Sequence, residues 1–123
     1  MQNLSCKLNI PLGPGIRDPS LEADLQSRID DGHRVYVIGD IHGHLATFRA
    51  LLHRLNLRKN DRVVCLGDMI DRGPDSAGVM KLIRSDERII CIKGNHEHMA
   101  LQSITEDGRV ELWQPWMQRG GKS

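Results

Sequence analysis

Short apolar runs alternate along this chain with longer segments that have helical spacing. The runs are rich in valine, isoleucine and cysteine and predict three strands, over residues 34–38, 62–66 and 88–92. Between them apolar residues recur every three or four positions, as Leu45, Phe48 and Leu52 do, which predicts helices. The predicted helices cover residues 20–29, capped by Ser20, about 44–57, about 75–85 and about 96–103. This regular alternation predicts an α/β fold.

The predicted strands are apolar on both faces, and one helix separates each from the next. This pattern is typical of successive β-α-β units with parallel strands. Residues 1–33 are expected to form an N-terminal arm with a short helix, because proline and glycine interrupt the first 19 residues. Residues 34–123 are expected to form a single domain.

Each predicted strand ends at a glycine that is followed by an oxygen ligand. These ligands are Asp40, Asp68 and Asn95, at intervals of 28 and 27 residues, about the length of one β-α-β unit. The carboxyl ends of parallel strands share one edge of a sheet, and ligands bind at that edge in open α/β sheets. The spacing therefore predicts that the three side chains converge on one site.

The residues around these ligands suit the binding of cations and phosphate. Asp40 and His42 can reach one divalent cation, while two neighbouring carboxylates repel each other unless cations lie between them. The guanidinium of Arg72 suits phosphate oxygens, and His96 can transfer protons. Each feature alone also fits an ordinary role: a turn cap, a surface ion pair of Asp71 with Arg72, or an exposed histidine.

Composition argues against several other classes of protein. The 123 residues include 17 basic and 16 acidic ones and only 3% aromatics, without a basic block, so nucleic-acid and membrane-surface binding are not expected. No apolar run is long enough to span a bilayer, and Met1–Ile10 does not resemble a secretory signal. Cys6, Cys65 and Cys91 are odd in number and lack CxxC spacing, which favours reduced thiols in a cytoplasmic protein.

Taken together, the three clusters resemble a known family. Gly39–Gly43 reads GDxHG, Gly67–Gly73 reads GDxxDRG and Gly94–Glu97 reads GNHE. This series is similar to the calcineurin-like metallophosphoesterase superfamily and, through the DRG ending and the final Glu, to its phosphoprotein phosphatase branch. The symmetrical diadenosine tetraphosphate hydrolases commonly have Gln in place of His42. The resemblance extends to compact bacterial and phage serine/threonine phosphatases, including a segment with Trp113, Gly120 and Gly121.

The resemblance implies two divalent metal ions. Asp40 and His42 would bind the first, Asp68 would bridge both, and Asn95 would bind the second. It implies Mn²⁺ as the usual activator in bacterial members, and a mixed oxygen and nitrogen ligand set also suits Fe or Zn. Such a pair lowers the pKa of water towards about 7, so that a bridging hydroxide attacks phosphorus.

The resemblance also assigns roles to the residues beside the metals. His96 would donate a proton to the leaving alkoxide, oriented by Asp71, and Arg72 would clamp the substrate phosphate. The expected activity is hydrolysis of phosphomonoesters, with phosphoserine or phosphothreonine in proteins as the expected substrate. The glycines expected to shape the loops are Gly39, Gly43, Gly67, Gly73 and Gly94.

The chain departs from this family in its second half. Family members supply two further histidines for the second metal there, and nothing after Asn95 matches them. The expected fold is therefore the N-terminal half of an α-β-β-α sandwich in a truncated phosphatase with an incomplete second metal site. Two alternatives are a catalytically inactive metal- or phosphate-binding module, and a phosphatase of nucleotides or other small phosphoesters. The remaining histidines are expected to have ordinary structural roles: His33, His44, His53 and His98.

Overall fold

A three-stranded parallel sheet with helices between its strands organises the molecule. The computed structural model describes residues 17–105 and 116–121. In chain order the elements are α1 (Pro19–Asp30), β1 (Val35–Ile38), α2 (Leu45–Leu55), β2 (Arg62–Cys65), α3 (Ser76–Ser85), β3 (Ile89–Cys91) and α4 (Asn95–Thr105). Each predicted element forms, with ends that differ from the prediction by one or two residues. The α/β class is confirmed.

The strands lie in the order β1-β2-β3, and both pairs are parallel. Ile38 is the register partner of Cys65, and Cys65 is the partner of Cys91, so the three strands end nearly level. Level ends matter because the residues that leave each strand then enter the same region of space. The prediction of successive parallel β-α-β units is confirmed.

The core lies between the sheet and the helices α2 and α3. Alternate strand residues such as Val63 and Ile89 face this side, where they pack with Phe48 of α2 and with Val79 and Ile83 of α3. All five side chains are buried. Their burial fixes the helices against the sheet and thereby fixes the loops that connect them to the strands.

The opposite face of the sheet is only partly covered in the described part of the chain. Val64 and Ile90 lie at its centre and are each 6% exposed. Val37, Leu66 and Ile92 are 61%, 51% and 41% exposed. Among residues 17–105 and 116–121, this face is therefore buried at its centre and exposed around it.

Helix α1 forms where the sequence predicted it, but its N-cap is Asp18 and not Ser20. The Asp18 carboxylate accepts the backbone N–H groups of Ser20 and Leu21 at 3.1 and 3.0 Å. Pro19 occupies the first turn, where its missing N–H has no cost, so the cap lies one position before it. The predicted apolar face is shallow, since no α1 residue is buried and Ile29 is 52% exposed.

An ion pair between half-buried Arg34 and buried Asp61 joins the start of β1 to the turn before β2. Asp61 is fully buried, and its carboxylate accepts the backbone N–H and the Nε of Arg34, both at 3.0 Å. It also accepts the backbone N–H of Arg58 at 2.8 Å. The hydrogen bond from the Arg34 side chain holds the pKa of Asp61 well below its usual range.

Two cysteines lie in the strands of the sheet. Cys65 of β2 is buried and Cys91 of β3 is half-buried. None of the helices formed by residues 17–105 and 116–121 is both long enough and apolar enough to cross a membrane.

Candidate functional site

Two loops and one helix start meet at the carboxyl edge of the sheet. The loop after β1 is hydrogen-bonded to the loop after β2, because Ile41 and His42 donate their backbone N–H groups to the Asp68 carbonyl at 3.0 and 2.9 Å. Gly43 donates to the carbonyl of Met69 at 2.8 Å. The two loops therefore form one backbone unit, and α4 begins beside it.

These loops contain an unusual density of left-handed backbone. Four non-glycine residues of the site have positive φ: His42 at 44°, Asp68 at 53°, Asp71 at 71° and Arg72 at 68°. In the described ranges the only other one is Asn56, which ends α2. L-residues adopt this conformation at a cost, and such residues concentrate at functional sites. The backbone here is arranged to place side chains and not to minimise local strain.

Two glycines permit the close approach of these segments. A Cβ at Gly73 would lie 1.9 Å from the carbonyl oxygen of His42, and one at Gly94 would lie 2.3 Å from Oδ1 of Asp68. Gly39 differs, because a Cβ there would meet nothing within 4 Å. Positive φ values occur at two further glycines of the motifs, Gly43 and Gly67.

Three candidate ligand side chains converge at this edge. His42, Asp68 and His96 each present a ligand atom, and these atoms lie within 4.8 Å of one another. Nδ1 of His42 lies 2.9 Å from the Ile70 carbonyl oxygen, which requires Nδ1 to carry the proton. Nε2 of His42 is the ring nitrogen that remains available to a metal ion, and it lies 3.7 Å from Oδ2 of Asp40. That separation is too long for a hydrogen bond.

Asp68 and Asn95 form a second convergence. The Asn95 amide lies 2.9 and 2.8 Å from the two carboxylate oxygens of Asp68. With its nitrogen turned inward, the amide donates to the carboxylate. With its oxygen turned inward, three acceptor oxygens meet, an arrangement that a cation would satisfy. Asp40 lies outside the cluster of His42, Asp68 and His96 and is 65% exposed, but its carboxylate is next to the His42 ring. The nitrogen and oxygen atoms of Asp40, His42, Asp68 and Asn95 are of the types that a divalent metal ion with mixed ligands accepts.

His96 is oriented by a buried carboxylate. Its Nδ1 donates to Oδ2 of Asp71 at 2.9 Å, and each side chain is 2% exposed. Its backbone N–H donates to Oδ1 of Asp68 at 3.0 Å, which places a carboxylate at the N-terminus of α4. The His96 and His42 rings meet edge to face with centroids 4.9 Å apart. His96 therefore lies against the candidate ligands with one ring nitrogen already committed to Asp71.

Glu97 is a site residue that the reasoning from spacing did not single out. Its carboxylate, 4% exposed as a residue, accepts four backbone N–H groups. The donors are Asp68 at 2.7 Å, Met69 at 2.7 Å, Ile70 at 3.2 Å and Gly94 at 2.9 Å. A signal existed, because a Glu three residues after a helix-capping position reaches back to that position's N–H in a capping box.

The other residues singled out in the sequence lie outside the ligand cluster. Arg72 is exposed, and within residues 17–105 and 116–121 no carboxylate pairs with its guanidinium. Trp113 lies outside the described residues, whereas Trp116 lies within them and contacts Asp71. The four histidines expected to have ordinary roles are absent from the ligand cluster: His33, His44, His53 and His98.

The comparisons with known proteins agree with this geometry. Residues 33–120 match the family model described as calcineurin-like phosphoesterase. The chain is 39% identical over 89 residues to serine/threonine-protein phosphatase 2 of Escherichia coli K12, covering 71% of this chain and 38% of that protein. It is 40% identical over 91 residues to serine/threonine-protein phosphatase 1 of Salmonella typhimurium, with the same two coverages.

A third relative is named for a different activity. The chain is 47% identical over 64 residues to the symmetrical bis(5'-nucleosyl)-tetraphosphatase of Wigglesworthia glossinidia brevipalpis, covering 50% of this chain and 24% of that protein. The parallel α/β fold and the candidate ligand cluster are consistent with this class of proteins, and the chain belongs to the calcineurin-like phosphoesterase family. It spans 38% of the length of each of the two phosphatases that it matches.

Proposed function

We propose that this chain provides the metal- and phosphate-binding part of a phosphoesterase that hydrolyses phosphoserine and phosphothreonine in proteins. The observation that carries the proposal is the convergence of His42, Asp68 and His96 within 4.8 Å of one another, beside an exposed Arg72. A buried carboxylate orients one of these groups, as acid–base chemistry requires.

The residues fit a metal centre in two parts. Asp40, His42 and Asp68 would hold one divalent ion, and Asp68 with Asn95 would contribute to a second. Bound there, such an ion supplies Lewis-acid polarisation of a phosphoryl oxygen and lowers the pKa of a water molecule. We propose Mn²⁺ as the metal because the resemblance to the bacterial members of the family implies it. The mixed imidazole nitrogen and oxygen donors suit Mn²⁺ and also suit Fe or Zn.

The chain's own residues supply binding and proton transfer. The guanidinium of Arg72 presents parallel N–H donors to the phosphate and neutralises charge that develops on it. Nδ1 of His96 is occupied by Asp71, so Nε2 is the atom that delivers a proton to the leaving serine or threonine oxygen. Asp71 keeps the imidazole in the tautomer and orientation that this transfer needs.

The choice of substrate has two candidates. The serine/threonine phosphatases match over 89 and 91 residues, and the tetraphosphatase matches over 64 residues at higher identity. We propose the protein phosphatase activity because the two longer matches are to proteins named as serine/threonine-protein phosphatases. Hydrolysis of dinucleoside polyphosphates is the second candidate, supported by the 47% identity. For the compartment we propose the cytoplasm, because an odd number of cysteines without CxxC spacing favours reduced thiols.

The test compares substrates and one ligand variant. Mn²⁺-dependent hydrolysis is measured on an aryl phosphate, a phosphoserine peptide and diadenosine tetraphosphate, with the wild-type chain and with Asp68→Asn. We expect the phosphopeptide to be turned over fastest and Asp68→Asn to lose both activity and metal affinity. Asp30→Asn removes an exposed carboxylate at the end of α1 and is the matched control.

Calorimetric titration with Mn²⁺ separates the alternatives. Two bound metals together with hydrolysis support the enzyme. One tight metal per chain, without hydrolysis of any substrate, would favour a binding module and contradict the proposed activity. Faster turnover of diadenosine tetraphosphate than of the phosphopeptide would replace the protein phosphatase with the nucleotide hydrolase.

A further inference from the structure

One oxygen of Asp71 has two hydrogen-bond donors from distant parts of the chain. Its Oδ2 accepts Nδ1 of His96 at 2.9 Å and the indole Nε1–H of Trp116 at 2.6 Å. Asp71 and His96 are each 2% exposed, and Trp116 is half-buried. Trp116 is 45 residues from Asp71 in sequence, so tertiary structure alone creates this contact.

The segment that carries Trp116 is fastened to the same loop. The backbone N–H of Arg72 donates to the Gly120 carbonyl at 3.1 Å. A Cβ at Gly120 would lie 2.7 Å from Cγ of Arg72, and one at Gly121 would lie 2.6 Å from Cε2 of Trp116. Gly120 therefore allows residues 116–121 to pack directly on the loop after β2, and Gly121 allows the indole of Trp116 to pack against the turn that follows it.

The two donors reach Asp71 from different parts of the fold. The indole N–H of Trp116 can only donate a hydrogen bond. The backbone of Asp71 is left-handed at φ 71°, a conformation that persists only where surrounding contacts hold it. The indole thus gives the carboxylate a second donor that fixes its orientation beside the imidazole.

We propose that Trp116 is a positioning residue that holds the Asp71 carboxylate in the orientation that aligns His96. The inference rests on the proposed function, since it concerns the group that would deliver the proton. Trp116 contacts Asp71, and Asp71 contacts His96, so Trp116 acts through other residues and is not itself a catalytic residue. Because the backbone of Arg72 is hydrogen-bonded to Gly120, residues 116–121 stabilise the positions of both His96 and Arg72.

The kinetic test uses Trp116→Phe, which keeps an aromatic ring and removes the donor. We expect kcat for an aryl phosphate to fall roughly 10-fold with KM unchanged, the size typical of losing an outer hydrogen-bond partner. In an Asp71→Asn background the same substitution should change kcat less than about 2-fold, because the two residues act through one oxygen. If Trp116→Phe lowers kcat by the same factor in the Asp71→Asn background as in the wild type, the proposal is wrong.

A second measurement does not depend on activity. The His96 Nδ1–H proton is followed by NMR, and its exchange with water should accelerate at least about 10-fold in Trp116→Phe, since the carboxylate that protects it becomes mobile. Met117→Leu alters packing in the same segment without removing this donor and should leave the exchange unchanged. An unchanged exchange rate in Trp116→Phe overturns the proposal.

The two readouts keep this inference apart from the proposed function. Faster exchange in Trp116→Phe with no hydrolysis by the wild-type chain would leave the positioning role intact and contradict the phosphoesterase activity. Hydrolysis by the wild-type chain with identical kcat and identical exchange in Trp116→Phe would leave the activity intact and contradict the positioning role.

Discussion

The carboxylate of Glu97 accepts the backbone N–H of Asp68 at 2.7 Å, which links the first turn of α4 to the loop after β2. Asp68 lies in left-handed backbone, and the two residues after it donate to the same carboxylate. One buried anion thus satisfies several donors of a strained loop. This contact explains how a candidate metal ligand can keep a costly conformation.

Glu97→Gln tests this link. Glutamine is nearly isosteric but places an NH₂ group among backbone N–H donors, so part of the carboxylate's hydrogen bonding is lost. We expect the free energy of unfolding to fall by about 2 kcal/mol and Mn²⁺ affinity to fall roughly 10-fold or more. Urea unfolding and calorimetry measure the two effects. The control is Glu87→Gln at an exposed position, and equal behaviour of the two variants would contradict the role of Glu97.

His96→Asn separates acid catalysis from metal binding. Its ring is held by Asp71 and would deliver the proton, so we expect kcat to fall by roughly 10²–10⁴-fold while Mn²⁺ affinity changes little. His98→Asn, two residues further along α4 and outside the ligand cluster, is the matched control and should leave kcat within about 2-fold. A parallel loss of metal affinity in His96→Asn would show that His96 is a ligand instead.

Gly73→Ala and Gly39→Ala form a matched pair among the predicted loop-shaping glycines. A Cβ at Gly73 would lie 1.9 Å from the backbone oxygen of His42, so the two loops must separate. We expect the free energy of unfolding to fall by about 2–3 kcal/mol in Gly73→Ala and by less than about 0.5 kcal/mol in Gly39→Ala. Thermal unfolding measures both. Similar melting temperatures for the two variants would count against the close packing of the loops.

The ion pair of buried Asp61 with half-buried Arg34 predicts a specific dependence of stability on pH. The pKa of Asp61 is lowered in the folded protein by the Arg34 side chain, so below about pH 4 the unfolded chain binds a proton that the folded chain excludes. Stability is therefore complete above that pH and falls as the pH is lowered towards the folded-state pKa. Asp86 adds an effect of the same sign, because the Arg88 side chain lowers its pKa.

Asp61→Asn should make stability fall less steeply as the pH is lowered, a dependence that is called the acid limb here. We expect the variant to lose about 2 kcal/mol at pH 7 and to show a smaller further loss between pH 7 and pH 3 than the wild type. Denaturant unfolding at several pH values measures this difference. Asp31→Asn, at an exposed carboxylate, should leave the slope unchanged. An acid limb in Asp61→Asn as steep as that of the wild type would contradict the assignment.

Periodicity was sufficient for the elements but not for their detailed contacts. The apolar runs that became β1, β2 and β3 were recognisable because burial on a parallel sheet selects β-branched residues regardless of what covers them. The N-cap of α1 was misplaced by two residues, from Asp18 to Ser20, because both residue types cap helices and only the three-dimensional hydrogen bonds distinguish them. The exposure of Val37 could not be predicted either, because the type of a strand residue does not indicate which residues cover it.

By itself, the sequence determined the α/β class, the parallel order of the strands and the family, because these depend on local periodicity and on short motifs at fixed spacing. Tertiary structure decided which side chains hold the site in shape: Glu97 beneath the loop after β2 and Trp116 against Asp71. Hydrogen bonds between residues 25 to 45 positions apart depend on how the chain packs, and spacing along the sequence does not encode that packing.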